Sequence, residues 1–310
     1  MKTTKQNFRT QIALYALAFF GLLITSCSND DNDVQLPISS ISEVEIGSAN
    51  RGVIGRDFHF NVEVLAGDMI DIVQININPR EDETYTHDWS FEIVWDEFKG
   101  VKNATVHKHF EVPEDAAEGK YDFVITVTDE NGTKLEETFE VEIIDPANLP
   151  VDPKLSFILR NGSNLYIVND ETFEEPEEGI IFPKDGPLIS LTTVQNVKDD
   201  GKIFILMIKK SLNHYPETID DIDFSKAIVV DVYEHSGREN IFTFYNSIVG
   251  VRNAPEFIVG TTQDNNTPNP NSVDGDKSWE NTEYYYGIVY TNTTHNISVH
   301  HYIDITVEGF

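Results

Sequence analysis

The chain has a single cysteine, Cys27, among its 310 residues, so no disulfide within the chain can stabilise the fold. Basic residues are also scarce: 22 Lys and Arg stand against 53 Asp and Glu, and the formal net charge is -31. Nucleic-acid recognition needs a basic stripe, and the sequence contains none, which excludes DNA and RNA as partners. The acidic composition does not imply disorder, because 40% apolar and 11% aromatic residues are enough to build hydrophobic cores.

Known catalytic motifs are equally absent from the sequence. It has no His-Glu-x-x-His of zinc proteases, no Gly-x-Ser-x-Gly elbow, no glycine-rich phosphate loop and no dinucleotide fingerprint. With 53 acidic residues, carboxylates that come close to one another carry no information about a glycosidase-like pair. We therefore expect a protein that is not an enzyme.

The N-terminus has the layout of a secretory signal. Lys2, Lys5 and Arg9 precede an apolar run over residues 12–24, which is shorter than the roughly 20 residues that span a bilayer. The following junction, Ile24-Thr25-Ser26-Cys27, resembles the bacterial lipobox, and this resemblance implies cleavage after residue 26 and fatty acylation, of the palmitate type, at Cys27. We predict a lipoprotein signal peptide over residues 1–26 and a membrane contact made through the lipid on Cys27.

An acidic tether follows over residues 27–36. Its segment Ser28-Asn-Asp-Asp-Asn-Asp33 resembles the surface-export signal of Bacteroidota-type lipoproteins, and the alternative is an ordinary solvated linker. The first interpretation predicts a protein that is lipid-anchored in the outer membrane and faces the extracellular side.

Residues 37–145 show the alternation of apolar and polar side chains that is typical of half-buried antiparallel strands. Turn signals separate these strands, and no segment shows a convincing helical period, so the pattern predicts an immunoglobulin-like β-sandwich. Trp89, in a predicted mid-domain strand, and Tyr121, which opens the penultimate strand, suit the buried Trp and the tyrosine corner of such sandwiches. The predicted strands contain Phe58–Val64, Ile70–Ile77, Trp89–Trp95, Val106–Val112, Tyr121–Val127 and Phe139–Ile143.

Two of these predicted strands bring histidines together. If the strand around Phe58–Val64 pairs with Val106–Val112, the apolar residues of both strands point inward and the polar ones share an outer face. Imidazoles at two-residue spacing are typical ligands of Zn²⁺ or Cu²⁺, with carboxylates as further ligands or as their hydrogen-bond partners. A polar outer face that happens to include histidine is the alternative. The candidate metal residues are His59, His107, His109, Glu111 and Asp57.

A family resemblance covers about residues 37–144. The motifs His107-Lys-His109, Gly119-Lys-Tyr121 and Val127-Thr-Asp-Glu-Asn-Gly132 are similar to an uncharacterised immunoglobulin-like domain of unknown function in Bacteroidota surface lipoproteins. In that family a His often follows the Gly-x-Tyr motif, whereas this sequence has Asp122. The resemblance implies a fold but no activity.

A proline-rich linker over residues 146–153 separates this domain from a second one over residues 154–310. The second domain is also predicted to be mainly β and sandwich-like, with a closing hairpin in which Tyr284 takes the place of Tyr121. A polar loop over residues 261–276 carries Asp264 and Asp276, which suit Ca²⁺, but a solvated loop is the preferred interpretation. The predicted strands contain Leu155–Leu159, Leu165–Val168, Ile203–Ile208, Ala227–Val232, Ile241–Tyr245 and Tyr284–Tyr290.

These features lead to two functional hypotheses. The first is a noncatalytic, surface-exposed lipoprotein that binds a ligand, a glycan or a cell-surface protein, with the tyrosines of residues 284–290 either forming a platform or filling the core. The second is a metal-binding lipoprotein that takes Zn²⁺ or Cu²⁺ on the outward histidines of the first domain. No cofactor is fixed by the sequence alone.

Overall fold

The computed structural model describes residues 39–161, 164–169 and 179–310. The predicted signal peptide, Cys27 and the acidic tether lie outside the described residues, as does the acid-rich segment 171–178, which the sequence predicts to be a solvated loop. Within the described ranges, no helix is long and apolar enough to cross a bilayer.

The predicted all-β fold is confirmed, since the described residues form long strands and only short 3-10 helices. In the first domain the strands are β1 (Ser40–Ile46), β2 (Arg51–Val53), β3 (Asp57–Leu65), β4 (Ile70–Pro79), β5 (Phe91–Trp95), β6 (Asn103–Glu111), β7 (Gly119–Asp129) and β8 (Lys134–Ile144). In the second domain they are β9 (Lys154–Asn161), β10 (Asn164–Asn169), β11 (Ile181–Pro183), β12 (Pro187–Lys209), β13 (Ala227–Tyr245), β14 (Phe257–Ile258), β15 (Thr282–Asn292) and β16 (Ile297–Glu308). The 3-10 helices are Pro146–Asn148, Lys210–Leu212, Ile219–Asp221 and Gly275–Lys277.

The first domain is a sandwich of two sheets. One sheet has the strand order β1-β3-β6 and the other has the order β2-β8-β7-β4-β5. Alternate residues of each strand point into the space between the sheets, where Phe58 and Phe60 of β3 pack on Phe123 of β7, with ring centroids 6.0 and 5.5 Å apart. The buried aromatic rings therefore join the two layers.

The tyrosine corner forms as the sequence predicts. The Tyr121 hydroxyl donates a hydrogen bond of 2.7 Å to the backbone oxygen of Ala117, four residues upstream. Trp89 is buried and packs edge-on against Tyr121 with ring centroids 5.1 Å apart, but it precedes β5 instead of lying within a strand. Its placement in a strand was wrong because the alternating pattern continues beyond the residues that find a partner strand.

Two long strands organise the second domain. β12 pairs with β9 through its first half and with β15 through its second half, and β13 follows it along most of its length with several register shifts. These shifts let the strand pair bend, because irregularities in the ladder increase local twist. The sheet, in the order β10-β9-β12-β15-β16-β11, thus curls around a core of its own.

The closing hairpin of the second domain repeats a detail of the first. The Tyr284 hydroxyl accepts a 3.1 Å hydrogen bond from the backbone N–H of Glu280, again four residues upstream. Tyr284, Tyr286 and Tyr290 are fully buried, so these tyrosines fill the core and do not form a surface platform.

The polar loop 261–276 is held by a buried carboxylate instead of being wholly solvated. Asp264 is 3% exposed and accepts hydrogen bonds from the backbone N–H groups of Asn266 and Asn271, at 3.1 and 2.7 Å. The Nζ atom of the equally buried Lys277 lies 3.6 Å from this carboxylate. Donors of the chain itself therefore surround Asp264, and its oxygens organise the loop.

Candidate functional site

The histidines come together because β3 and β6 pair in the predicted antiparallel register. His59 lies opposite His109, and Asn61 lies opposite His107. Phe58 and Phe60 are buried beneath them, which turns His59 to the outer face of the three-stranded sheet. The His59 ring centroid lies 5.0 Å from that of His107 and 5.1 Å from that of His109, and the latter two are 5.3 Å apart.

A carboxylate from the second domain completes the group. One ligand atom from each of His59, His107, His109 and Glu217 lies within 4.8 Å of the other three. Glu217 directs Oε2 toward Nδ1 of His59 at 3.3 Å and Oε1 toward Nε2 of His109 at 3.2 Å. We call these four residues the histidine cluster.

Local structure holds Glu217 in place. It directly precedes Thr218, which forms a capping box with Asp221 at the start of the 3-10 helix Ile219–Asp221. On its other side, the Tyr302 hydroxyl donates a 2.6 Å hydrogen bond to the backbone oxygen of Pro216. Pro216 is thus tied to β16, and Thr218 is held by the 3-10 helix that follows it.

The Tyr302 ring can reach this position because of a glycine on the adjacent strand. A Cβ at Gly287 would lie 1.9 Å from Cε1 of Tyr302, so no other residue fits beneath the ring without a shift. The ring also packs against Tyr215, with centroids 4.0 Å apart. Packing of β15 against β16 therefore fixes the segment that carries Glu217.

Two carboxylates of the first domain orient the imidazoles. Glu45 Oε2 lies 3.0 Å from Nε2 of His59, and Asp57 Oδ2 lies 2.7 Å from Nδ1 of His109. In metal sites a histidine commonly donates one ring N–H to a carboxylate, and this hydrogen bond directs the other ring nitrogen to the ion. This arrangement leaves Nδ1 of His59 and Nε2 of His109 facing Glu217.

Burial and charge act differently on the members of the histidine cluster. Burial opposes the charged form of His59, but the carboxylates of Glu217 and Glu45 outweigh it and raise the pKa of the imidazole. Burial, followed by the charges of His59 and His109, lowers the pKa of His107. Burial also opposes ionisation of Glu217, but the neighbouring imidazoles, above all His59, lower the pKa of its carboxyl. The cluster thus favours an ionised Glu217 beside a neutral His107.

One atom of the cluster has an unusual environment. Nδ1 of His59 is buried and makes no hydrogen bond, since the nearby Glu217 oxygen does not meet it in hydrogen-bond geometry. Its contact with Glu217 is an ion-pair distance and not a hydrogen bond, and a buried polar atom that makes no hydrogen bond calls for an explanation. In the neutral ring that donates Nε2–H to Glu45, Nδ1 carries a lone pair, and a metal ion bound there would give this atom a partner.

The sequence identified the three histidines but only part of their surroundings. Asp57 lies beside His109 as a hydrogen-bond partner, and among the described residues Glu111 is not part of the histidine cluster. Glu217 and the orienting Glu45 were missed. Glu217 has no motif around it, and its role depends on the contact between two domains that the sequence does not display.

His300, on β16, is a further residue that the sequence did not assign to the site. Its ring interacts with the backbone of Glu217, and burial lowers the pKa of its imidazole. It also lines a cleft of about 810 Å³ between the two domains, together with Glu45, His59 and Glu217. Two members of the histidine cluster, His59 and Glu217, therefore line a cleft that solvent can enter.

Three imidazoles and one carboxylate are a donor set that suits Zn²⁺ or Cu²⁺. A harder ion such as Ca²⁺ or Mg²⁺ prefers oxygen ligands, of which the cluster offers few. The residues present thus fit a transition metal by their chemistry.

In the comparison with protein families, residues 25–144 match a family described as "Domain of unknown function (DUF4625)". The expected similarity to a domain of unknown function is confirmed. The matched region contains the three histidines of the cluster and ends before the linker, so Glu217 lies outside it. No curated protein matches the chain.

Among solved structures, latent PorU from Porphyromonas gingivalis has a TM-score of 0.31 and 10% identity, over 91% of this chain and 21% of that chain. The alpha-2-macroglobulin of E. coli has a TM-score of 0.24 and 10% identity, over 88% of this chain and 16% of that one. The chain spans about a fifth of the first of these proteins and about a sixth of the second, and similarity at this level is no basis for an inference about function.

Proposed function

We propose that the protein binds a divalent transition metal, Zn²⁺ or Cu²⁺, at the histidine cluster. The observation that carries the proposal is the convergence of three imidazoles and Glu217 within 4.8 Å, with Nδ1 of His59 buried and without a hydrogen bond. His59, His107, His109 and Glu217 are the ligands, and Asp57 and Glu45 orient two of the rings.

The test is calorimetric titration of the full chain with Zn²⁺ and with Cu²⁺, together with thermal unfolding. A ligand of the native state at 100 times its dissociation constant stabilises by about 2.7 kcal/mol. We expect one ion per chain and a corresponding rise in the unfolding temperature.

The variant His107→Ala/His109→Ala removes two of the four ligands and is expected to abolish stoichiometric binding. His87→Ala is the matched control. His87 is an exposed histidine of the same domain, and its ring lies 2.9 Å from the backbone oxygen of Asp115, outside the histidine cluster. Full binding by the double variant, or equal loss in the control, would refute the assignment.

We propose further that the protein is a noncatalytic lipoprotein, anchored through Cys27 and displayed on the outer face of the outer membrane. The lipobox-like junction and the acidic tether of the sequence support this proposal. Labelling of cells with a palmitate analogue should mark the wild type and not Cys27→Ser. Protease added to intact cells should cut the chain, and a chain that stays uncut would rule out outward display.

A second candidate function is the binding of a small ligand or cell-surface partner in the cleft between the domains. The cleft of about 810 Å³, open to solvent and lined by both domains, favours this candidate. The buried state of Tyr284, Tyr286 and Tyr290 removes the tyrosine platform as its basis. Pull-down of envelope proteins and polysaccharides with the wild type and with Asp220→Arg, which places a long side chain in the cleft, tests it.

A further inference from the structure

Polar side chains make hydrogen bonds and ion pairs between the two domains and with the linker. Nη2 of Arg51 donates to the backbone oxygens of His295 and Asn296 at 2.6 and 2.9 Å, and Arg56 pairs with Asp152 of the linker at 2.8 Å. Each hydrophobic cluster of the described residues lies within one domain, so no shared core joins them. Domains joined in this way are expected to move relative to each other.

The histidine cluster spans this interface. Its three imidazoles belong to β3 and β6 of the first domain, whereas Glu217 belongs to the second. A metal ion bound by all four residues therefore links the domains through coordination bonds. Removal of the ion leaves the polar contacts and the linker.

The segment that carries Glu217 is attached to the rest of the second domain by hydrogen bonds. The capping box at Thr218 and the hydrogen bond from Tyr302 to Pro216 hold the chain on both sides of it. In addition, the backbone N–H of Ile219 donates a 3.3 Å hydrogen bond to the Thr291 hydroxyl on β15. The carboxylate therefore cannot follow the first domain without the sheet behind it.

From this arrangement we propose that the metal acts as a clamp that fixes the orientation of the two domains and the width of the cleft between them. This inference rests on the proposed function, since it requires a metal at the histidine cluster. Binding and conformation are linked. An ion held by both domains therefore binds more tightly to the arrangement in which Glu217 lies beside the three imidazoles, and it shifts the population toward that arrangement.

The test measures the distance between the domains in the full chain with and without Zn²⁺. Spin labels are attached at Glu130→Cys in the first domain and Glu239→Cys in the second, both exposed positions, in a Cys27→Ser background. We expect a narrow distance distribution with Zn²⁺ and a broader one in the presence of a chelator.

Glu217→Gln separates the clamp from metal binding itself. At saturating Zn²⁺ the three imidazoles retain the ion with reduced affinity, and the distance distribution stays broad. Asp220→Asn is the matched control, because it removes an exposed carboxylate from the same cleft, outside the cluster, and should keep the narrow distribution.

Each outcome bears on a different claim. If calorimetry shows that the wild type binds Zn²⁺ but the distribution has the same width with and without the ion, the clamp is refuted and metal binding stands. A narrow distribution in Glu217→Gln with Zn²⁺ also refutes the clamp. If the wild type does not bind Zn²⁺ or Cu²⁺, the proposed function fails, and the clamp fails with it.

Discussion

The Oε2 atom of Glu217 lies 3.3 Å from Nδ1 of His59, and the two residues belong to different domains. The other oxygen of the same carboxylate faces His109. One side chain of the second domain thus contacts two imidazoles of the first.

The carboxylate of Asp57 should contribute to metal affinity through His109. In Asp57→Ala, the ring loses the partner of Nδ1, and loss of such partners typically lowers metal affinity by about 10- to 100-fold. Zn²⁺ titration measures the change. Glu111→Ala is the control, because Glu111 lies opposite Asp57 in the register but outside the histidine cluster. Equal effects of the two substitutions would contradict the role given to Asp57.

The Tyr302 hydroxyl should stabilise the position of the ligand Glu217. Tyr302→Phe keeps the ring but removes the hydrogen bond to Pro216, next to Glu217, which we expect to weaken Zn²⁺ binding several-fold. Loss of one hydrogen bond should lower the free energy of unfolding by about 1 kcal/mol. Calorimetry and denaturant unfolding measure the two effects. Tyr285→Phe serves as the control on the neighbouring strand, and unchanged Zn²⁺ affinity in Tyr302→Phe would argue against this support.

The two tyrosine corners should stabilise the domains to a similar extent. Tyr121→Phe leaves the Ala117 carbonyl without its donor, and Tyr284→Phe leaves the Glu280 N–H without its acceptor. We expect each to lower the free energy of unfolding by about 1 to 3 kcal/mol, measured in urea. Neither residue contacts the histidine cluster, so Zn²⁺ affinity should stay the same. If neither variant lowers the free energy of unfolding by more than the error of the measurement, the tyrosine corners do not stabilise the domains.

Stability should fall on mild acidification because of His235. Burial lowers the pKa of its imidazole, which lies 3.0 Å from the Tyr290 hydroxyl. In the unfolded chain the imidazole takes up a proton at about pH 6.5, whereas in the folded chain it does so only at lower pH. The unfolded state therefore binds more protons, so this stability is fully present above that pH and is lost as the pH falls below it.

The measurement compares unfolding temperatures at about pH 7.5 and about pH 5.5, on either side of the unfolded value, with a chelator present. The drop should be smaller in His235→Gln than in the wild type. Other histidines with a lowered pKa, including His214 and His300, still contribute to the remaining drop. A drop of the same size in both proteins would exclude His235 as a source.

Asp264 should be structural and not a calcium ligand. Asp264→Ala removes the acceptor of three backbone N–H groups, those of Val229, Asn266 and Asn271, and leaves the buried Lys277 without its counter-charge. Breaking such a buried pair costs about 3 to 5 kcal/mol, which denaturant unfolding can measure. Asp276→Ala, an exposed acid of the same loop, should have little effect. A rise in the unfolding temperature of the wild type with Ca²⁺, lost in Asp264→Ala, would favour the calcium site instead.

The sequence by itself determined the features that repeat at short range. The two-residue period around Phe58, Phe60 and Val106 fixed which side chains enter the core, and it thereby placed the histidines on the outer face. The pairing of β3 with β6 followed from the order of strands in a sandwich, and Tyr121 could be assigned to a corner from its position after the loop.

Only the tertiary structure decided what meets across a distance. No local pattern marks Glu217, since its position depends on how the second domain packs against the first and on Tyr302 over Gly287 behind it. The sequence also could not predict the buried, structural role of Asp264, because its burial depends on the loop folding back onto β13. Periodicity reports which face of a strand is buried, whereas contacts between domains depend on the relative placement of whole sheets, and that placement has no local signal in the chain.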